Sequence, residues 1–317
     1  MVDKLIDKII EYKNPVCAGL DTRIEYVPRD FIVDRYTTNA LAYATSNIYR
    51  YNCELIDCLA DIVPCVKVQV AYYEMYGLEG MAAFRDTIAY AKKAGMYVIA
   101  DIKRNDIGAT AEAYSAAYLG KTKILDEEIS AFDADFVTVN GYLGSDGLHP
   151  FVEDCKRYDK GMFVLVKTSN KSSGELQDLE CEGKPVYEHM ADLVDTLGED
   201  VIGKYGYSDV GAVVGATYPR QAESIRKNHP HLFILVPGYG AQGATADDIA
   251  PNFDKNGLGG IVNNSRALLT AHSNPAYKGM PFDKAARKAA LDMRDDIGRA
   301  FERRGIDFSG KPEGGGK

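Results

Sequence analysis

The 317-residue sequence has no tryptophan, no Cys-x-x-Cys pair and no excess of basic residues. Its 37 Lys and Arg are outnumbered by 46 Asp and Glu, for a formal charge of −9. That balance argues against a nucleic-acid surface, because a polyanion needs a net basic face. A small anionic substrate stays compatible, since a few local cations can hold it. Six cysteines (Cys17, Cys53, Cys58, Cys65, Cys155, Cys181) have neither zinc-site nor disulfide-framework spacing, and read as reduced thiols of a cytoplasmic protein. The five histidines form no metal-ligand cluster in the sequence, so no metal site is expected. No apolar run approaches the ~20 residues of a membrane span. The first residues, MVDKLIDKIIEYKN, break their apolar positions with charges, as a short packed helix does and the h-region of a signal peptide does not.

Short apolar runs alternate with longer amphipathic ones along the rest of the chain. Strands are expected at VCAGLD (16–21), IVPCVKVQV (62–70), MYVIADIK (96–103), DFVTVN (135–140), MFVLVKT (162–168), VGAVVGA (210–216), LFILVP (232–237) and GGIVNN (259–264). Near-continuous Val/Ile/Leu runs are the mark of strands buried on both faces. Helical patterns lie between them, as in Leu41, Ala44, Ile48, Leu55 and Leu59, whose steps of three, four or seven keep one face apolar. Eight strand–helix units in series predict an α/β fold, a single-domain (β/α)8 TIM barrel over residues 1–310 with a flexible tail at 311–317. An open doubly wound sheet is the alternative, weakened because no Gly-x-Gly-x-x-Gly follows the first strand. The polar stretch from Ser169 to about Val186 reads as a long active-face loop after the fifth strand.

In such barrels the chemistry sits at the C-terminal ends of the strands. The third strand runs out through DIKRNDIGAT (101–110), and Asp101 and Lys103, two apart, share one face of it. Lys67 would be unpaired among the apolar residues of the second strand unless it reaches Asp101, and Asp21 ends the first strand. Opposed charges gathered at three strand ends preset an electrostatic field. A second group lies at the other end of the chain. Pro237 leads into GYGAQGA with Gln242 and Gly243, and the eighth strand runs through Asn263 and Asn264 into Ser265 and Arg266. Glycine turns, a helix starting near Ser265 and a forked guanidinium suit a phosphate in the two last loops. The fifth strand ends in KTSN, where Lys167 reads as a rim lysine and Ser169 as a hydrogen-bonding group for a polar ring.

These motifs together resemble the orotidine 5'-monophosphate decarboxylases. DIKRNDIGAT is similar to that family's DxKxxDI signature, and the likeness runs from AGLD through PGYGAQG to NNSRAL. The length and the SNKSSGELQDL loop resemble its longer bacterial subfamily. The resemblance implies a cytoplasmic, cofactor-free homodimer that turns orotidine 5'-monophosphate (OMP) into UMP. It assigns Lys67, Asp101 and Lys103 to an alternating charge network that Asp106 of the other subunit completes. Ile107 and Thr110 also match residues that cross the interface. Asp21 matches a ribose contact, Ser169 a pyrimidine contact, and Gln242 and Arg266 the 5'-phosphate grip. Pro237, Gly243 and Ser265 belong with the substrate-binding loops, and Ser265 departs from the glycine of many shorter members.

The implied chemistry suits the residues. Loss of CO2 from C6 leaves a carbanion with no conjugated sink, which the Lys103 ammonium can stabilise and then protonate. The rival is a metal-dependent sugar-phosphate lyase or synthase of the same barrel superfamily. That enzyme would place an acidic metal ligand on the second strand, where this chain has Lys67 and its next carboxylate is Glu74. A non-catalytic phosphate-binding barrel would keep the glycine loops but has no use for a buried charge network.

Overall fold

The computed structural model describes residues 1–33, 39–240 and 243–308. The expected strands form; most are shorter at their ends, while the third and fifth are shifted by one residue, gaining Arg104 and Gly161 respectively. They are β1 (Val16–Gly19), β2 (Cys65–Gln69), β3 (Tyr97–Arg104), β4 (Phe136–Val139), β5 (Gly161–Lys167), β6 (Val210–Val214), β7 (Ile234–Val236) and β8 (Gly260–Asn264). Each pairs in parallel with its sequence neighbours, and β8 closes on β1 in the register Val16↔Val262. Apart from Tyr97 and a few positions in their C-terminal halves, the strand residues are buried, because helices cover the outside and side chains fill the inside.

Two apolar layers hold this arrangement. The outer one lies between the strands and helices such as Ala40–Leu59, Gly77–Lys93 and Phe282–Arg303. The helix Ala40–Leu59 buries Ala44, Ile48, Leu55 and Leu59 as its periodicity requires. Leu41 is exposed instead, in the first turn, where the side chain of Asn39 caps the helix. The inner layer fills the lower barrel with Cys17, Cys65, Ile99, Phe136, Phe163, Phe233 and Ile261. The N-terminal helix Val2–Tyr12 closes it from below with Val2, Leu5, Ile6 and Ile9. The barrel interior is therefore apolar at one end, and its charges are confined to the other.

The segment after β5 is more ordered than a loop. It holds a 3-10 turn at Lys171–Ser173, one helical turn at Gly174–Gln177 and a short antiparallel ladder joining Glu180–Cys181 to Lys184–Pro185. A second hairpin, Thr122–Ile124 with Glu127–Ile129, projects before β4 with Ile124, Leu125 and Ile129 exposed. Its polar, charged sequence gave no strand signal. The tail 311–317 lies outside the described residues. No described helix is long and apolar enough to cross a membrane.

Candidate active site

The polar end of the barrel opens into a cavity of about 790 Å³. Asp101, on β3, is its electrostatic centre and is almost fully buried. Its Oδ2 accepts hydrogen bonds from Lys67 Nζ at 2.7 Å and Gln69 Nε2 at 2.8 Å. Its Oδ1 accepts from Lys103 Nζ at 2.5 Å and from the Thr138 hydroxyl at 2.8 Å. Lys67 also meets Asp21 Oδ1 at 3.3 Å. Burial alone would push the Asp101 carboxyl up, but the Lys67 and Lys103 ammoniums outweigh it and hold the group below the ordinary carboxylate range. Burial likewise works to lower Lys67, and the Asp101 and Asp21 carboxylates outweigh it, so Lys67 stands above the ordinary lysine range. The pair is ionised and fixed. Gln69 and Thr138 were missed in the sequence because each is an unremarkable polar residue in a strand. Their alternation with Lys67 and with Phe136 on the inward face was the available signal.

Asp101 and Lys103 meet through an irregular backbone. Between Ala100 and Arg104, β3 advances four residues while β4 advances two, from Val137 to Val139. Within this bulge Lys103 adopts φ +50°, a left-handed conformation that non-glycine residues rarely take. Strain of this kind persists only where its surroundings enforce it. Here the Lys103 amide donates to Thr138 Oγ1 at 3.0 Å while its ammonium is held by Asp101.

The opposite wall is assembled from the later strands. Ser169, Pro237, Asn263, Ser265 and the exposed Arg266 all line the cavity. Close approach explains two glycines. A Cβ on Gly19 would lie 1.9 Å from Ser265 Oγ, and one on Gly215 would lie 2.6 Å from Ser169 Cα. The helix expected near Ser265 is a single turn, Arg266–Leu269. Asn263 and Asn264 border this cavity, but their side-chain oxygens are buried away from it without a hydrogen-bond partner, and Asn264 Nδ2 donates to Met293 Sδ of the covering helix at 3.6 Å. Gly243 takes φ +89° in its turn but does not line the cavity. Gln242 lies outside the described residues.

Asp106, Ile107 and Thr110 do not line the cavity of their own chain. Asp106 accepts a hydrogen bond from the Ile107 amide at 2.8 Å, and Ile107 is exposed. The rim reading of Lys167 is corrected: its side chain is completely buried behind the cavity wall, held by Asp178 and Ser173. Glu74 pairs with Arg104 and does not line the cavity. Among the described residues no group of three or more His, Cys, Asp or Glu could hold a metal ion.

Residues 14–279 match the family model described as orotidine 5'-phosphate decarboxylase / HUMPS. The chain is 43% identical to an orotidine 5'-phosphate decarboxylase of Rhodopirellula baltica, over 91% of this chain and 96% of that one. It is 40% identical to one from Clostridium perfringens, over 95% and 99% of the two chains. Among solved structures, an OMP decarboxylase from Leishmania donovani superposes with a TM-score of 0.71 at 29% identity, covering 95% of this chain and 98% of that one. A Leishmania donovani UMP synthase superposes with a TM-score of 0.70 at 30% identity, over 94% of this chain and 56% of that longer one.

Proposed function

Since the chain belongs to the orotidine 5'-phosphate decarboxylase / HUMPS family, we propose that its barrel-mouth cavity decarboxylates OMP to UMP in pyrimidine biosynthesis. The observation that carries this reading is the ammonium of Lys103, fixed against a buried carboxylate that Lys67, Gln69 and Thr138 also hold. The C6–carboxylate bond breaks with its electron pair left on C6, and CO2 departs. The ammonium stabilises that pair and delivers a proton to C6, leaving a neutral amine that water reprotonates. Hydrogen bonds already made to Lys67 and Thr138 mean that Asp101 need not reorganise as charge develops. Like charge from Asp101 against the substrate carboxylate opposes the ground state.

The remaining assignments are those the family resemblance implies, and the cavity supports the residues that line it, Asp21, Ser169, Pro237, Ser265 and Arg266. Asp21 faces the ribose, Ser169 the pyrimidine, and Gln242, Gly243, Ser265 and Arg266 the 5'-phosphate, with Pro237 packing beside them. Phosphate contacts far from C6 contribute to the barrier when they are realised together with closure around the substrate. A homodimer in the cytoplasm is part of the reading, with Asp106, Ile107 and Thr110 crossing to the partner's site. The position of Asp106, half-buried outside its own cavity and next to the exposed Ile107, supports this.

The metal-dependent sugar-phosphate alternative lacks its acidic ligand. The inward charged residue of β2 is Lys67, and Glu74 is engaged by Arg104. The deciding experiment is to add protein dialysed against a chelator to OMP and follow the loss of its absorbance as UMP forms. No loss, or loss only after a divalent cation is restored, refutes the proposal.

A further inference from the structure

Lys167 is the last residue of β5, and its side chain is completely buried. Leu165, Val166 and Thr168 around it line the cavity, but Lys167 does not. The ladder gives the reason. Leu165 pairs with Val213 and Lys167 with Val214, so β5 carries one extra residue at this point. A bulge of this kind re-aims a side chain, and here it directs the ammonium behind the cavity wall.

There Lys167 Nζ donates to Asp178 Oδ1 at 2.7 Å and to Ser173 Oγ at 3.1 Å, and lies 4.3 Å from the centroid of the Tyr218 ring. Both polar partners belong to the segment that follows the strand. The Ser173 hydroxyl donates to Tyr218 Oη at 3.0 Å, and that hydroxyl donates to the Asn170 carbonyl at 3.1 Å. Gln177 closes the same segment on itself, accepting from the Thr168 amide at 3.0 Å and donating to Thr168 Oγ1 at 2.8 Å. The front of the segment is cavity wall, formed by Thr168, Ser169, Asn170, Leu176 and Gln177. A fully buried ammonium must keep its counter-charge, since an ion stripped of water is strongly destabilised unless it is paired. Asp178, whose side chain is 42% exposed, is therefore drawn inward to a fixed point on the barrel.

We propose that Lys167 is a positioning residue for the base end of the site: through Asp178 and Ser173 it fastens residues 168–178 so that Ser169 is presented to the pyrimidine. This deepens the decarboxylase reading and rests on it for the identity of the ring. The lysine touches no substrate, so its effect falls on recognition of the base and not on the phosphate or on proton delivery.

The test compares Asp178→Asn, Asp178→Glu and Lys167→Met in the full-length protein. OMP turnover, UMP binding, ribose 5-phosphate binding, melting temperature and amide hydrogen exchange over 168–186 are measured for each. Asp178→Asn is expected to raise KM for OMP and Kd for UMP at least ~tenfold, the scale of one charge-assisted hydrogen bond. It should leave kcat within about threefold by the same separation of binding from chemistry. Ribose 5-phosphate binding should not change, exchange over 168–186 should speed up, and Asp178→Glu should recover most of the loss. Wild-type UMP binding in Asp178→Asn overturns the proposal, even if Lys167→Met fails to fold. So does an equal loss for UMP and ribose 5-phosphate, which would mean that the lysine only supports the fold. A wild-type protein that binds UMP without consuming OMP refutes the decarboxylase reading instead, and the UMP arm still tests the latch.

Discussion

Lys67 Nζ and Asp101 Oδ2 lie 2.7 Å apart across the adjacent strands β2 and β3, with side chains only 5% and 6% exposed. Asp101 is the register partner of Gln69, so the lysine reaches forward along its strand to the carboxylate while Gln69 approaches it from the side. An ion pair this deep is stabilising only when its remaining hydrogen bonds are made. Thr138 and Lys103 make them on the other oxygen.

Thr138 is expected to matter to catalysis although it carries no charge. Thr138→Val keeps the shape but removes the donor to Asp101 and the acceptor of the Lys103 amide. Leaving such groups unpaired costs about 1–3 kcal/mol. The expected result is a fall in kcat of ~tenfold or more with little change in KM, as for a group acting through the reacting lysine. A variant with unchanged kcat would remove Thr138 from the positioning of Lys103.

The charge state of the pair fixes a pH window. The folded Asp101 carboxyl is held below the ordinary range, so its stabilising contribution is complete above the unfolded value of ~3.9 and is lost as pH falls through the lower folded value. Lys67 is held above the ordinary range, so its contribution is complete below ~10.4 and is lost as pH rises through the higher folded value. From about pH 5 to 9 neither group should titrate, and neither should contribute a limb to the kcat profile. A limb in that window that disappears in Lys67→Gln or Asp101→Asn would contradict this assignment.

Arg266 should serve the phosphate alone. Arg266→Ala is expected to lower kcat/KM for OMP by at least ~tenfold, since a charge-assisted contact contributes about 1.5–3 kcal/mol. The slow reaction of the nucleoside lacking phosphate should hardly change. Equal losses on both substrates would give Arg266 another role.

The shared site can be tested by mixing. Lys103→Ala should lose more than ~100-fold in turnover, the scale of a single electrostatic catalytic group, and Asp106→Ala should be nearly as inactive. If subunits exchange at random, about half the dimers are mixed, and each of those has one intact site, so activity should recover toward about a quarter of wild type. Exchange verified by mass spectrometry without recovery would mean that Asp106 acts within its own chain.

The barrel was legible because its strands are short, apolar and bounded by turns, a signal that survives without tertiary information. The Lys67–Asp101–Lys103 cluster was legible because charges are conspicuous in apolar runs. Gln69 and Thr138 were not, since an uncharged polar residue in a strand looks the same whether it faces water or a buried carboxylate. Lys167 was misread for a different reason. Strand alternation sets which way a side chain points, and the extra residue in β5 reverses it locally without leaving a mark in the sequence. The hairpin Thr122–Ile129 escaped because its pairing is local and its residues are exposed, so no apolar pattern announces it.

The left-handed backbone at Lys103 limits how far its motif can be transplanted. Grafted onto an ideal strand, the letters DIKRND would alternate in and out of the sheet with no two-residue excess and no sharp turn before the lysine. The aspartate and lysine, two apart, would still share a face, but the neighbouring strand would have no reason to supply a hydroxyl to the lysine amide. A designer who wants this lysine held in the same way in another barrel must import the β3 bulge together with its β4 threonine, and a scaffold library filtered to exclude positive φ at non-glycine positions would discard any host that carries it.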